Sequence, residues 1–199
     1  MLSNYEIRKK SREQLGKSIF DRKWMMALLA YFVYAVIVGA LSYFGVGLIF
    51  AGCFAFGILA SFLSVARGKE EIDMSQLFDG FKGQNFGKSL LLYILITIFT
   101  FLWMLLLWIP GIIKSYSYSM SYYILIDRPD LTAKQCITES RRLMDGHKMD
   151  LFCLHLSFFG WAILCVFTLG IGFLWLEPYM QTAQANFYEE LKKEKGCDY

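Results

Sequence analysis

The sequence from residue 24 to residue 66 reads WMMALLAYFVYAVIVGALSYFGVGLIFAGCFAFGILASFLSVA and contains no charged side chain. A bilayer core of about 30 Å needs roughly 20 apolar residues per helix. These 43 residues are therefore too many for one span and suit two. Gly45-Val46-Gly47 lies near the middle, where glycine permits a tight reversal of the chain. The segment predicts two transmembrane helices, near 24–44 and 46–66, and it indicates an integral membrane protein.

Two further apolar blocks follow, each with one charged side chain. One runs from Ser89 past Pro110-Gly111 to Ile126, and the other runs from Leu151 past a Gly-Ile-Gly break at 170–172 to about Tyr188. Each block is again long enough for two helices separated by a turn. The sequence therefore predicts an all-α, polytopic membrane protein with six transmembrane helices, near 24–44, 46–66, 89–109, 112–126, 151–169 and 173–188.

The three blocks recur at a nearly constant interval. A charged, weakly amphipathic segment precedes each block, and the apolar stretches begin at Trp24, Phe86 and Met149, at spacings of 62 and 63 residues. This period predicts three copies of one helical hairpin, arranged as a pseudo-threefold bundle in a single membrane domain, 1–199. Identity between the units is poor, so a chance similarity of apolar hairpins is the alternative. The repeat units are approximately 1–66, 67–126 and 127–199.

The basic residues predict the orientation of the chain. Nineteen of the 20 lysine and arginine residues lie in the segments 1–23, 67–88, 127–148 and 189–199, and only Lys114 lies elsewhere. Cytoplasmic loops carry an excess of basic residues. Both termini and both long loops are therefore expected in the cytoplasm. Two spans per unit make the repeats parallel and not inverted.

The segment before the third hairpin predicts an amphipathic helix at the cytoplasmic interface. Thr132 and Gln135 have the spacing of a capping box, and Gly146 is a natural stop. Its apolar positions are Ala133, Cys136, Ile137, Ser140 and Met144. The plainer interpretation is a linker helix that orients two hairpins. The functional interpretation is that Arg141, Arg142 and Lys148 contact anionic lipid or a partner.

The second helix of each predicted hairpin is more polar than the first, which predicts that the second helices form the interior. Lys114 and Glu177 are the two charges inside predicted spans. A buried pair between them is the natural inference, because a lone charge in a low-dielectric interior is costly. The alternatives are polar packing, or a lysine that reaches the outer headgroups. The candidate ligand-binding or buried polar cluster comprises Lys114, Tyr118, Ser121, Glu177, Gln181 and Gln184.

The sequence lacks the motifs of several common chemistries. It has no glycine-rich phosphate loop, no GxSxG, no HExxH and no paired-cysteine zinc motif. His147, Asp150 and His155 do not share one helical face. We therefore interpret them as interfacial residues and not as metal ligands. We therefore expect no catalytic residue, no metal and no cofactor. The net charge of +3, with its basic clusters beside the apolar blocks, suits a membrane surface and does not imply nucleic acid.

Several segments carry a resemblance to a known family. Residues 108–120 read WIPGIIKSYSYSM, and the likeness continues through SRRLM at 140–144, GHKMDLF at 146–152, LGIG at 169–172 and PYM at 178–180. In these segments the chain resembles the bacterial integral-membrane family known only as domain of unknown function 975. The resemblance implies a small, multi-pass protein of the bacterial plasma membrane and implies no activity. A more distant similarity to the membrane domain of some glycerophosphodiesterases would favour a lipid or scaffold role.

Three classes of function fit these features. The favoured one is a non-enzymatic binding or accessory protein that holds membrane lipids, a partner membrane protein or a second copy of itself. The second is a small-solute or proton-coupled transporter that uses the polar interior of the second, fourth and sixth spans. Its outline is similar to that of mitochondrial carriers, although their Pro-x-Asp/Glu-x-x-Lys/Arg motif is absent. The third is an intramembrane lipid-modifying enzyme, which would need a nucleophile or metal that the sequence does not indicate.

Overall fold

A computed structural model describes residues 2–16, 21–43, 47–69, 74–106, 108–168 and 170–197. Every regular element within these ranges is helical, which confirms the all-α prediction. The elements are α1 (Asn4–Leu15), α2 (Arg22–Tyr43), α3 (Gly47–Ala66), a 3-10 helix (Met74–Phe81), α4 (Gln84–Leu106), α5 (Trp108–Tyr118), α6 (Ser121–Asp127), α7 (Ala133–Leu143), α8 (Lys148–Leu156), α9 (Phe159–Phe167) and α10 (Phe173–Lys195).

Three helical stretches in the described residues are long and apolar enough to cross a membrane. They are Arg22–Leu41, Asn85–Leu105 and Lys148–Phe167, and the last combines α8 with α9. Only 17%, 11% and 22% of the residues in their apolar windows are buried, so these stretches face outward from the protein. They coincide with the first, third and fifth predicted spans. The total of six spans, the hairpin repeat and the orientation stay predictions.

The helices α3 and α10 form the centre of the structure. All side chains from Ser61 to Ala66 in α3 are buried, and so are those of α10 from Ala185 to Tyr188. The helix α3 packs against α2, α4, α10 and the 3-10 helix, while α10 also packs against α1 and α2. The second and sixth predicted spans therefore lie in the interior, as their composition indicated.

The fourth predicted span is broken. Its helix stops at Tyr118 and resumes at Ser121. Ser140 of α7 sits at the break, where its Oγ donates to the carbonyl oxygen of Ser117 (2.8 Å) and accepts from the backbone N–H of Met120 (3.2 Å). These bonds satisfy backbone groups that the break frees from the helix ladder. The break thus depends on a serine 20 residues further along the chain.

Gly57 of α3 and Gly80 of the 3-10 helix permit a close approach between these two helices. A Cβ on Gly57 would overlap the carbonyl group of Leu77, and a Cβ on Gly80 would overlap that of Cys53. These two glycines bring the 3-10 helix against α3, and Gly52 of α3 lies equally close to Tyr93 and Ser89 of α4.

The amphipathic helix before the third hairpin is confirmed as α7. Thr132 Oγ1 accepts from the backbone N–H of Gln135, and the Gln135 side chain accepts from the backbone N–H of Thr132 at 2.8 Å, which completes the capping box. Gly146 follows with φ of +86°. The five predicted apolar positions are all buried, and α7 packs mainly against α4 and α6. Its apolar face is therefore covered by the protein itself.

The N-terminal helix α1 is docked on α10. Ser3 and Glu6 form its capping box. Asn186 Nδ2 of α10 donates to Ser11 Oγ at 3.0 Å, and Lys10 Nζ lies 3.1 Å from Glu190 Oε1. The charged, weakly amphipathic segment before the first apolar block is thus a packed helix.

Candidate functional site

Four basic side chains converge on one cavity of about 390 Å³. We call them the basic cleft: Lys114 of α5, Arg141 and Arg142 of α7, and Lys148 of α8. Ser117, Thr138 and Asp145 complete the lining. Three of the four cations were predicted as interfacial contacts from the sequence, and Lys114 was predicted as part of an interior cluster.

Local structure explains why these cations meet. The Ser140 hydrogen bond to Ser117 holds α7 against α5, which brings Arg141 beside Lys114. Gly146, with φ of +86°, reverses the chain between α7 and α8 and returns Lys148 to the same end. Glycine adopts this left-handed conformation without the steric cost that other residues incur.

The positive charge of the cleft is only partly compensated. Arg142 Nη2 lies 2.8 Å from Glu139 Oε2, and Lys148 Nζ lies 4.0 Å from Asp145 Oδ1. Within the described part of the chain, neither Lys114 nor Arg141 forms an ion pair. Arg141 and Lys148 are close enough to Lys114 to interact with it electrostatically. An anion that entered the cleft would relieve this repulsion between like charges.

An aromatic ring holds Lys114 at the cleft. Its Nζ lies 4.8 Å from the centre of the Trp103 ring of α4. Such a cation–π contact is worth about 0.5–1 kcal/mol at an exposed site. It orients the ammonium group but leaves its hydrogen-bond donors available to a ligand.

Lys114 and Glu177 do not pair, so the inferred buried ion pair is wrong. Lys114 lies at the basic cleft, whereas Glu177 lies beside Gln181 and near Tyr31 and Tyr34 of α2. The reason is the packing of their helices. The helix α5 contacts α4, α7 and α8, while α10 contacts α1, α2 and α3.

The other predicted site residues are distributed over separate places. Tyr118 packs against Phe99, with ring centres 6.4 Å apart, and Ser121 is fully buried. Gln184 lies close enough to His155 to interact with it electrostatically. The residues of the predicted cluster therefore lie in separate places. Lys114 lies at the basic cleft, Glu177 lies beside Gln181, and Tyr118, Ser121 and Gln184 lie at other positions.

A polar interior surrounds the Glu177 and Gln181 pair. Tyr34 of α2, Tyr93 of α4 and Tyr122 of α6 are close enough to one another to interact electrostatically. The hydroxyl of Tyr122 and Oε1 of Gln181 are buried and have no hydrogen-bond partner. An unsatisfied buried polar group costs about 1–3 kcal/mol, so these atoms mark a place where water or a solute would be stabilised.

An ion-pair cluster that the sequence analysis missed joins the ends of α3, α6 and α10. Asp127 accepts from Arg67 at 2.5 Å, from Lys192 at 2.8 Å and from the Tyr188 hydroxyl at 2.9 Å. Arg67 also bonds to Glu189 at 2.9 Å. Partial burial lowers the pKa of Arg67, but its bonds to Asp127 and Glu189 outweigh burial and raise that pKa overall. We call these five residues the Asp127 cluster.

The sequence could have indicated this cluster only through the positions of its charges. Arg67 directly follows the second apolar stretch, Asp127 directly follows the fourth, and Glu189 directly follows the sixth. Equivalent ends of parallel hairpins would lie at the same depth, so opposite charges at those ends are candidates to pair.

These features define a helical protein that has three stretches able to cross a membrane and a cationic cleft beside one of them. The family described as a protein of unknown function (DUF975) matches the chain over residues 1–114 and 104–195. The chain belongs to this family, which confirms the resemblance seen in the sequence. No curated protein and no solved structure matches the chain.

Proposed function

We propose that this is a non-enzymatic, multi-pass protein of the bacterial plasma membrane that binds the headgroup of an anionic lipid in the basic cleft. Both termini lie in the cytoplasm in this proposal. The observation that carries it is the meeting of Lys114 and Arg141, both without an ion-pair partner in the described residues, in a cavity of about 390 Å³.

The chemistry of the cleft suits a phosphate group. Arginine presents a planar fork that can donate two hydrogen bonds to phosphate oxygens, and lysine adds a compact positive charge. Arg141 is exposed and Lys114 is anchored on Trp103, so both can meet a ligand with little rearrangement.

Apolar surface beside the cleft favours a membrane lipid over free phosphate. The helix α5, which carries Lys114, also exposes Ile109, Ile112 and Ile113. A lipid whose headgroup occupied the cleft could lay its acyl chains along these side chains. A free anion would make no use of this surface.

Titration of the detergent-solubilised protein with short-chain lipids tests the proposal. Dioctanoyl phosphatidylglycerol supplies the anionic headgroup, and dioctanoyl phosphatidylcholine supplies a zwitterionic headgroup on the same chains. Binding is followed by calorimetry. We expect saturable binding of the first lipid, weakened about tenfold by Arg141→Gln, because one charge-assisted hydrogen bond is worth about that factor.

Lys134→Gln is the matched control, since Lys134 is an exposed cation on α7 outside the cleft. It should leave the affinity unchanged. Equal binding of the two lipids, or equal effects of Arg141→Gln and Lys134→Gln, would contradict the proposal.

A proton-coupled or small-solute transporter is the second candidate. It is favoured by the buried, unpartnered Tyr122 hydroxyl and Gln181 Oε1 beside Glu177. Proton flux into proteoliposomes under a pH gradient, read by an internal pH-sensitive dye, tests it. Transport through this interior predicts that Glu177→Gln abolishes the flux while Glu13→Gln, at an exposed position of α1, does not. An undiminished flux in Glu177→Gln would remove this site.

A further inference from the structure

A second cavity, of about 370 Å³, lies between α1, α2, α9 and α10. It shares no lining residue with the basic cleft. Three tryptophans line it: Trp24, Trp161 and Trp175. We call this cavity the tryptophan chamber. The rest of its lining is Arg8, Arg12, Cys165, Gly172, Leu176 and Tyr179.

The chamber combines an apolar body with positive charge. Arg8 and Arg12 are four residues apart on α1, so they lie on one face of that helix. None of the residues that line the chamber is a carboxylate. Arg12 is exposed and forms no ion pair with any described residue. The lining is therefore complementary to a negatively charged group attached to an apolar one.

Two buried donors in the lining lack acceptors. Arg8 Nε and Trp175 Nε1 are both buried and have no hydrogen-bond partner. Arg8 is otherwise well anchored, because its Nη1 donates to the carbonyl oxygen of Ser157 at 3.2 Å and its guanidinium lies 5.6 Å from the centre of the Phe158 ring. Buried donors are nearly always paired in folded proteins. An oxygen-rich anion would supply the missing acceptors.

The chamber opens toward its surroundings beside two of the apolar stretches. Trp24 lies at the beginning of the apolar stretch Arg22–Leu41, and the side chain of Trp161 is 55% exposed. Tryptophan is enriched at the level of the lipid headgroups. A ligand could therefore enter sideways from the bilayer, with its charged end toward α1 and its apolar end among the tryptophans.

The volume of the tryptophan chamber suits an alkyl chain. Ligand pockets commonly measure about 300–1,000 Å³, and an apolar cavity of about 150 Å³ holds a benzene molecule. A cavity of about 370 Å³ accommodates part or all of one alkyl chain.

We propose that the tryptophan chamber binds a single-chain amphiphile with a carboxylate or phosphate headgroup, such as a fatty acid or an alkyl phosphate. The headgroup bonds to Arg12, Arg8 Nε and Trp175 Nε1, and the chain packs against the three tryptophans. The proposal is independent of lipid binding at the basic cleft.

Quenching of tryptophan fluorescence by 11-bromoundecanoate tests the chamber, because bromine on the chain quenches the tryptophans that it contacts. The protein is kept in detergent, and 11-bromoundecanol serves as the neutral probe of equal length. We expect saturable quenching by the acid alone, with a Kd about tenfold higher in Arg12→Gln. Lys9→Gln, at an exposed position of α1 outside the lining, should leave the Kd unchanged.

Competition in the wild-type protein gives a readout that needs no variant. Displacement of the probe by dodecanoate assigns a carboxylate ligand, and stronger displacement by dodecyl phosphate assigns a phosphate ligand. Arg141→Gln should not alter probe binding, which separates the chamber from the basic cleft. The proposal is overturned if the alcohol quenches as saturably as the acid, if Arg12→Gln and Lys9→Gln behave alike, or if only dioctanoyl phosphatidylglycerol displaces the probe.

Discussion

The Asp127 side chain is only 3% exposed and is bonded to two cations, Arg67 and Lys192. Removing one partner of a buried ion pair leaves an uncompensated charge and costs about 3–5 kcal/mol. We predict that Asp127→Asn lowers the free energy of unfolding by this amount, measured by denaturant titration in mixed micelles. Asp130→Asn is the control, because the Asp130 side chain is 64% exposed and its pair with Arg128 should contribute at most about 1 kcal/mol. Equal effects of the two substitutions would contradict a structural role for Asp127.

The ion pair between Glu190 and Lys10 should make the contribution of α1 docking to thermal stability depend on pH. Partial burial raises the pKa of Glu190, but hydrogen bonds from Lys10 and Lys193 outweigh it and hold the pKa below 4.5. The stabilisation is therefore present above about pH 4.5 and is lost as the pH falls through the pKa of the folded state. The Tm difference between wild type and Glu190→Gln should be largest at pH 7 and should shrink below pH 4.5. Glu13→Gln should show no such trend, and a difference that grows with acidity would refute this assignment.

At the level of single residues, the sequence indicates which charged residues lie close together along the chain. It does not indicate which residues of other helices they contact. Arg141, Arg142 and Lys148 were identified as a basic group because they lie close together in sequence. Lys114 was singled out as a charge inside a predicted span, but the packing of α5 on α7 places it beside Arg141 and not beside Glu177. Such a contact spans helices, so composition and spacing do not determine it.

At the level of elements, the close packing of α3 on the 3-10 helix makes a direct prediction. A Cβ on Gly57 would meet the backbone of Leu77, which cannot move aside as a flexible side chain could. We expect Gly57→Ala to destabilise the protein by about 1–3 kcal/mol, the usual cost of overpacking. Gly87→Ala in α4 is the control, since nothing lies within 4 Å of its added Cβ and alanine favours helix. Thermal unfolding in detergent measures both, and a Gly57→Ala variant as stable as Gly87→Ala would contradict this packing.

Elements with local signals were predicted well. The capping box of Thr132 and Gln135 and the stop at Gly146 fix α7 through contacts within a few residues. The break between α5 and α6 has no such signal, because Ser140 stabilises it from another helix. The docking of α1 likewise depends on Asn186 and Glu190, far away in sequence.

At the level of the whole molecule, the number of spans determines where the termini lie. Three of the described stretches can cross a membrane by length and composition, and the sequence predicts six spans. Six spans place both termini on the same side, which the basic residues assign to the cytoplasm, whereas three would place them on opposite sides. We predict that alkaline phosphatase fused after residue 199 is inactive in cells and that green fluorescent protein fused there is fluorescent. An active phosphatase fusion would contradict the six-span arrangement.

The central claim is that the basic cleft holds an anionic membrane lipid, and native mass spectrometry of protein extracted in mild detergent tests it most directly. This method measures the oligomeric state and the mass of any bound lipid in one experiment. The comparison includes wild type, Lys114→Met, Lys134→Met and Glu177→Gln. We predict an anionic phospholipid adduct in wild type that drops in Lys114→Met and persists in the other two variants. An adduct-free protein in all four preparations, or an adduct that Lys114→Met leaves intact, would contradict the claim.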